Sequence, residues 1–487
     1  MGPSLSGAAL FFGHWTFGRG RRRAFCARGS APFWSARGGD ADRFERPGVT
    51  PSALTIGIDF GTTNTVLALS GGQGQSAVVT LKAPQGEVSG FRSALGFQLI
   101  PAADGSAPER VITAGPWAVE TYLEDPLETR FIQSFKNFAA SAAFSETVID
   151  GRRYKFEDLL AVFLKQVREH AGEVLTDLPP RVIVGRPVTF AGGNPNEALA
   201  LERYEAAFAQ VGFSDIRYAY EPVGAAFFFA RQLIQAATVL VADFGGGTSD
   251  FSIIRFEPTP EGLRSVPLGR AGVGIAGDAF DYRIIDQLVS PQLGKGTTYT
   301  VMGKTLPVPQ RYYTAFAKWE QLALLRASRD MKDIRGLVRS ADEPEKIERL
   351  VEVLDENYGY ALYQSVSALK IALSSQEQAQ FVFSAGDVDI RADVSRETFE
   401  GWIAPELAAM QDAVDLALER AGLQADQIER VFLTGGTSFV PAVRRIFTDR
   451  FSAERIESGS EFESIASGLA LIGQEADLDL WSEKKPL

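Results

Sequence analysis

Two aspartates are the residues in this sequence best placed for chemistry. Each closes an apolar strand and is followed by Phe-Gly and a run of Gly and Thr. Asp59 lies in LTIGIDFGTTNTVLAL, Leu54 to Leu69, and Asp243 in TVLVADFGGGTSDFSI, Thr238 to Ile253. In the first copy Gly61 lets the backbone approach an anion closely, and the amides of Thr62, Thr63 and Asn64 can donate to phosphate oxygens. Asp59 only accepts when ionised, so it suits a hydrated Mg²⁺ rather than a phosphate. Gly245, Gly246, Gly247 and Thr248 repeat the cradle, flanked by Asp243 and Asp250 as further metal-facing acids. One copy alone reads equally well as a β-hairpin with a glycine turn and a solvated acid. Two copies point to two related lobes closing on one polyphosphate.

A third signal is Thr434-Gly435-Gly436-Thr437, after a strand and before a helix with Pro441 in its first turn. A glycine pair there lets a planar base or a ribose lie against the backbone. Three other motifs fail on context. Gly272-Val-Gly274-Ile-Ala-Gly277 matches G-x-G-x-x-G but lacks the acid-tipped second strand of a dinucleotide site. Gly303-Lys304-Thr305 resembles the end of a P-loop, but Thr298 stands where the first Gly is needed. Asp-Phe-Gly is also a kinase motif, but no His-Arg-Asp loop accompanies it.

Strands alternating with helices must position these residues, which makes the chain α/β. The spacing predicts helices over Phe156–Leu175, Glu197–Val211, Ala279–Leu288, Tyr358–Leu373, Arg396–Ala421 (stopping at Gly422), Val440–Phe451 and Ser464–Gly473. Glu221-Pro222 opens another helix, since Pro is well tolerated in a first turn. Arg181–Val188 and Arg430–Leu433 read as strands, and Phe381–Val394 as a strand pair turning near Gly386. From Leu69 to about Asp150 the sequence reads as a looser stretch. Residues 290–350 read as a partly helical insertion.

The chain has 487 residues and a net charge of −12, with arginines but no acid or lysine before Asp40. Such an acidic body argues against nucleic-acid binding. No run of about 18 apolar residues suggests a membrane span. Cys26 is the single cysteine, so no intrachain disulfide forms. His14 and His170 are the only histidines, which argues against chemistry that needs placed imidazoles. Residues 1–53 are expected to be a disordered or mis-annotated extension, although the Arg19–Arg23 cluster also resembles an organelle transit peptide. The expected plan is then a first lobe over 54–236 and a second over 237–474. The second carries an enlarged inserted subdomain at about 279–394, and a tail follows at 475–487.

Together IGIDFGTTN, EPVGAA, VADFGGGTSDFSI and TGGTSFVP resemble the ATPase domain of the heat-shock-70 (DnaK) chaperones. These belong to the superfamily of actin-like and sugar-kinase ATPases. The resemblance covers residues 54 to 473, and the shortened plan is similar to the YegD-like branch. It implies an actin-like ATPase fold, a duplicated ribonuclease H-like motif in two lobes around a nucleotide cleft. It also implies ATP or ADP with Mg²⁺ as ligands and a cytoplasmic setting.

By position it implies that Asp59, Asp243 and Asp250 orient Mg²⁺, mostly through water. Thr62, Thr63 and Gly245 to Thr248 would hold the β- and γ-phosphates, with Thr248 touching the γ-phosphate. Lys136, in SFKNF, would contact the γ-phosphate and the attacking water, and Glu221 would position or deprotonate that water. Gly277 and Asp278 would form a turn near the phosphates. Lys370 and Ser374 would lie beside adenine and ribose, facing Gly435, Gly436 and Thr437. Phe439 and Ile371 stand where the chaperones carry basic residues, so the base pocket departs from the family. No room for a client-binding domain is expected after Gly473, and Asp477–Trp481 reads as a frayed tail. The expected activity is slow ATP hydrolysis driving lobe closure. A non-hydrolysing nucleotide-gated module and a small-molecule kinase remain alternatives. A co-chaperone or protein client is a possible partner, and no nucleic acid or membrane is expected.

Overall fold

The structure is a computed structural model that describes residues 54–484 apart from 72–74, 103–106, 231–234, 260–261, 319–320, 323–324, 327, 459–462 and 476. The extension expected over 1–53 lies outside the described residues. The described residues belong to one compact unit.

The two aspartate motifs each open a sheet, and the two sheets share one plan. In the first, β1 (Thr55–Phe60) turns back into β2 (Asn64–Ser70), which pairs with β3 (Ser76–Val78). On its other side β1 runs parallel to β4 (Arg181–Arg186), and β4 to β5 (Asp215–Tyr220). In the second, β6 (Ala237–Phe244), β7 (Ser249–Thr259) and β8 (Gly262–Val273) form the antiparallel meander. There β9 (Arg430–Thr434) and β10 (Ile456–Ser458) continue the parallel side. Identical strand order and identical direction in both sheets make the molecule a duplication, the actin-like two-lobed α/β fold. Every residue of β6 is buried, as befits a central strand covered on both faces.

The helices that position the site are α1 (Phe156–Ala171), α2 (Glu197–Val211), α3 (Glu221–Ala230), α4 (Gly277–Ile284), α5 (Gly359–Ser375), α6 (Ala404–Ala421) and α7 (Ser464–Ile472). α1 and α2 share a core with Ile56, Ile58 and Phe60 of β1. α3 packs on β6 and β7 of the second sheet, whereas α7 packs on β1, β2 and β4 of the first. Each thus covers the other half's sheet, and the two cross in between. At the crossing a Cβ on Gly468 would lie 1.7 Å from Gly224 O, and one on Gly57 would lie 2.3 Å from Ala466 O. Only glycine allows these backbones to touch.

Several expectations are corrected. The stretch expected to be loose holds an antiparallel sheet, with Ala94–Ile100 paired on one side to Glu109–Ala114 and on the other to Arg130–Gln133. Its strands are short and mix polar with apolar residues, which hides the period. β8 was not expected, because Pro267 and its glycines read as breaks. Pro267 sits at a register shift opposite Ile254, where a bulge excuses the missing N–H. The helix expected over Arg396–Ala421 is two, Arg396–Trp402 and α6, broken where Pro405 enters. α6 still ends on Gly422 with a left-handed φ of 65°. The helix expected at Ala279 begins at Gly277 and passes into a π turn, Ile285–Val289.

The segment expected to be frayed is pinned. Glu483 pairs with Tyr218 on the edge of β5, Arg217 binds Asp479 at 2.7 Å, and the Trp481 ring meets Phe227 edge-on at 4.6 Å. Within 290–350 a hairpin, Thr298–Val301 with Lys304–Pro307, precedes helices whose Tyr313, Ile334 and Ile347 enter the second half's core. Gly303 is the turn of that hairpin, with φ 73°.

Candidate functional site

The duplicated hairpins bring their turns face to face. A Cβ on Gly246 would lie 2.7 Å from Thr63 Oγ1 and 3.2 Å from Thr62 Cβ; one on Gly247 would lie 2.8 Å from Asn137 Oδ1 and 3.5 Å from Thr62 Oγ1. Each turn is closed by its own backbone: Gly61 N–H donates to Asn64 O at 3.1 Å, and Gly245 N–H to Thr248 O at 2.9 Å. The first is braced further by Ser93, whose hydroxyl donates to Gly61 O and whose N–H donates to Thr63 O. The second is braced by Asp278 N–H, which donates to Gly246 O at 2.8 Å.

The acids converge behind these turns. Asp243 lies directly across the ladder from Asp250 and in parallel register with Thr434. Burial raises the Asp59 carboxyl to about 7, and the nearby Glu221 charge adds to the shift. Burial raises Asp243 well above the ordinary range, with Glu221, Asp59 and Asp250 all pushing the same way. Asp250 is raised to about 7 by burial and by Glu221. Acids from both hairpins therefore feel one another in one low-dielectric place. Asp250 also latches the halves: its Oδ1 accepts from Val188 N–H at 2.8 Å and Thr189 N–H at 3.2 Å. Its Oδ2 is buried with no partner. Gly272 makes room for it, since a Cβ there would lie 2.4 Å from Asp250 Oδ1.

Lys136 and Glu221 meet at 2.7 Å, both buried. Lys136 sits in the short turn Phe135–Phe138, which follows Ser134 at a left-handed φ of 55°. Glu221 is the first residue of α3, delivered by β5. Burial alone would depress the Lys136 ammonium. The opposing pull of Glu221, Tyr204 and Asp59 outweighs it and raises the ammonium above its ordinary value.

On the other flank Gly277, Thr437, Lys370 and Gly245 gather. Thr437 Oγ1 donates to Gly245 O at 3.5 Å, and Lys370 Nζ donates to Gly277 O at 3.4 Å while ion-pairing with Asp281 at 2.7 Å. Gly435 takes a φ of 83°, and a Cβ there would lie 2.0 Å from Phe244 O, so glycine is required. Gly436 begins the turn Gly436–Phe439. Ser374 is turned back on its own helix, donating to Lys370 O at 3.0 Å. Phe439 is 47% exposed, and Ile371 is exposed as well. A cavity of about 520 Å³ lies elsewhere, beside Lys165, Arg168 and Glu173. It is open to solvent and brings together none of these groups.

Three residues at the site were not anticipated. Tyr204, on α2, is fully buried with an unpartnered hydroxyl and is electrostatically tied to Lys136, Glu221 and Asp59. Its place in an amphipathic helix made it read as core. Asn137 neighbours Lys136 in SFKNF and holds an unpartnered Oδ1 against Gly247. Arg186 binds Glu197 at 2.7 Å and Glu483 at 2.8 Å, fixing the start of α2 and the docked tail to β4.

With this geometry in place, comparison with known proteins is informative. Chaperone protein DnaK of Thermus thermophilus is 25% identical over 433 residues, covering 86% of this chain and 60% of its own length. DnaK of Thermotoga maritima is 24% identical over 419 residues, and that of Trichormus variabilis 23% over 439 residues. The chain thus spans roughly 60% or less of the length of these curated relatives. A family model described as Hsp70 protein matches residues 130–298 and 343–476. The unmatched stretch between them holds most of the hairpin and the helices Gln310–Phe316 and Arg329–Leu337. With more than half of its residues matched, this chaperone-related chain belongs to the Hsp70 family.

Proposed function

We propose that the two hairpin turns clasp the phosphates of MgATP and that the protein hydrolyses ATP slowly, closing its halves around the nucleotide. The observation that carries this reading is the meeting of Thr62 and Thr63 with Gly246 and Gly247, backed by the mutually repelling acids Asp59, Asp243 and Asp250. Amide-lined glycine turns suit phosphate oxygens, and three carboxylates raised by burial and by the Glu221 charge suit a cation. Asp59, Asp243 and the orphaned Asp250 Oδ2 would hold Mg²⁺ through its water. When bound, the ion would neutralise charge on the phosphates.

Glu221 would accept a proton from an attacking water, and its partner Lys136 would hold the γ-phosphate. Phosphoryl transfer asks for such positioning and charge neutralisation more than for covalent chemistry. Gly277, Lys370, Gly435 and Thr437 would frame the adenosine, and the half-exposed Phe439 offers a ring to the base. Calorimetry with MgATP, followed by phosphate release without any acceptor, tests the reading. Absence of binding heat in folded protein overturns it.

A second reading has its own support. Lys136 and Glu221 already satisfy each other, and a pair that stays closed on nucleotide binding leaves no free base. That favours a nucleotide-gated module, which would show tight MgATP binding with no turnover. A J-domain protein, an exchange factor or a protein client would be the partner class in either case.

A further inference from the structure

A separate, half-open cavity of about 110 Å³ lies between the two halves. Tyr122, Arg130 and Gln133 line it from the first half, and Arg326 and Asn357 from the second. Its frame is well tied. Tyr122 Oη donates to Asn357 O at 2.6 Å, and Asn357 Nδ2 donates to Pro126 O at 2.6 Å. The rings of Tyr122, Phe131 and Tyr360 pack on one another with centroids 4.9 to 5.8 Å apart.

Among the described residues the charges on this cavity are unbalanced. None of their carboxylates pairs with Arg130 or Arg326, and the Arg326 guanidinium makes a long 3.4 Å approach to Asp355 O. Burial lowers the pKa of Arg130, and the neighbouring Arg326 charge lowers it further. Two guanidiniums facing one apolar chamber repel each other and are poorly hydrated, so an anion there relieves both costs. Gln133 is buried on the same wall with its amide oxygen unpartnered, an acceptor awaiting a donor. Apart from Thr129 and Thr147 the rest of the lining, including Phe138, Phe144 and Leu322, is apolar. A chamber of about 150 Å³ takes benzene, so this smaller one suits a ligand of roughly five heavy atoms.

We propose that this interlobe chamber binds a short-chain hydroxy carboxylate, its carboxylate between Arg130 and Arg326 and its hydroxyl on Gln133. Such a ligand would touch both halves and hold them together. The site shares no group with the hairpin cradle and does not depend on the nucleotide reading.

Titration calorimetry on the full chain with glycolate, acetate and inorganic phosphate tests it. The hydroxy acid is expected to bind at millimolar concentration or below, severalfold tighter than acetate. Arg130→Gln and Arg326→Gln are each expected to weaken it about tenfold or more, the scale of a lost charge-assisted hydrogen bond. Gln133→Leu is expected to erase the preference for the hydroxyl. Circular dichroism and an unchanged thermal melt show that each variant is folded; if Gln133→Leu does not fold, the preference is read from the two acids on the unaltered protein. No heat from either acid, phosphate binding as tightly as the acids, or arginine variants that bind normally would overturn the site. Equal affinity for the two acids would overturn the role of Gln133.

Discussion

Lys136 and Glu221 are two buried charges that satisfy each other, and the consequences divide cleanly. If they act on water and γ-phosphate, Glu221→Gln or Lys136→Ala lowers turnover at least tenfold, a loss of about 1.4 kcal/mol or more. Removing the lysine alone also strands a buried carboxylate, which typically costs about 3–5 kcal/mol. The paired replacement Lys136→Met with Glu221→Leu should recover most of that stability and none of the activity, as urea melts and phosphate release would show. Gly246→Ala makes a different point. Its Cβ would press on Thr63 Oγ1 and Thr62, the surfaces proposed for phosphate. The expected result is a folded protein with MgATP affinity reduced tenfold or more, read by calorimetry. The acids give a pH dependence. Asp250 and Asp59 are raised from 3.8 to about 7 in the folded state. As pH climbs from 4 the unfolded chain therefore loses these protons first, and stability falls until the folded carboxyls ionise near 7. Thermal melts of the nucleotide-free protein should show Tm falling between pH 5 and 7.5, and Mg²⁺ with nucleotide should flatten that slope. A flat profile without ligand would mean that the carboxylates are not buried together.

Elements were legible where their period was clean and hidden where it was not. β1, β6, α1, α2 and α5 stand close to where alternation and helical spacing put them. So do the hairpin turns, because Asp-Phe-Gly followed by Gly and Thr leaves few alternatives. β8 was invisible because a proline and several glycines interrupt it, and only its place beside β7 makes it a strand. Tyr204 and Asn137 were missed for a related reason. Nothing in their local sequence separates a core ring or a turn amide from a group at the phosphates; only the packing of α2 and Phe135–Phe138 onto β1 does. The docking of Asp479 and Glu483 was equally unreadable, since it depends on Arg217 and Arg186 far away in sequence. One element contact makes a sharp prediction. A methyl on Gly468 would lie 1.7 Å from Gly224 O, backbone against backbone, with no flexible side chain to move aside. Gly468→Ala should cost about 1–3 kcal/mol or more by forcing α3 and α7 apart. The same change at the exposed Gly336, which meets nothing, serves as the control in a denaturant melt.

At the scale of the molecule the two halves touch along a rim as well as at the turns. Tyr122 and Asn357 bridge them through two hydrogen bonds, and Asn357 holds a left-handed φ of 58° to do so. Asn357→Gly keeps that backbone and deletes the amide that binds Pro126 O. The expected outcome is release of a fluorescent nucleotide accelerated severalfold with little change in Tm, because one neutral hydrogen bond is worth about 1 kcal/mol. An unchanged release rate would show that the rim does not restrain the cleft. The helix crossing beneath says why the rim can matter so much. At Gly224 and Gly468 main chain meets main chain, and the buried Leu469 side chain is seated between Gly224 and Gly185. A crossing this close holds the two sheets at one point, like an axle with a single pin. Resistance to opening is therefore shared with contacts far from it, the polar ties and packed rings that join Tyr122, Phe131, Tyr360 and Asn357.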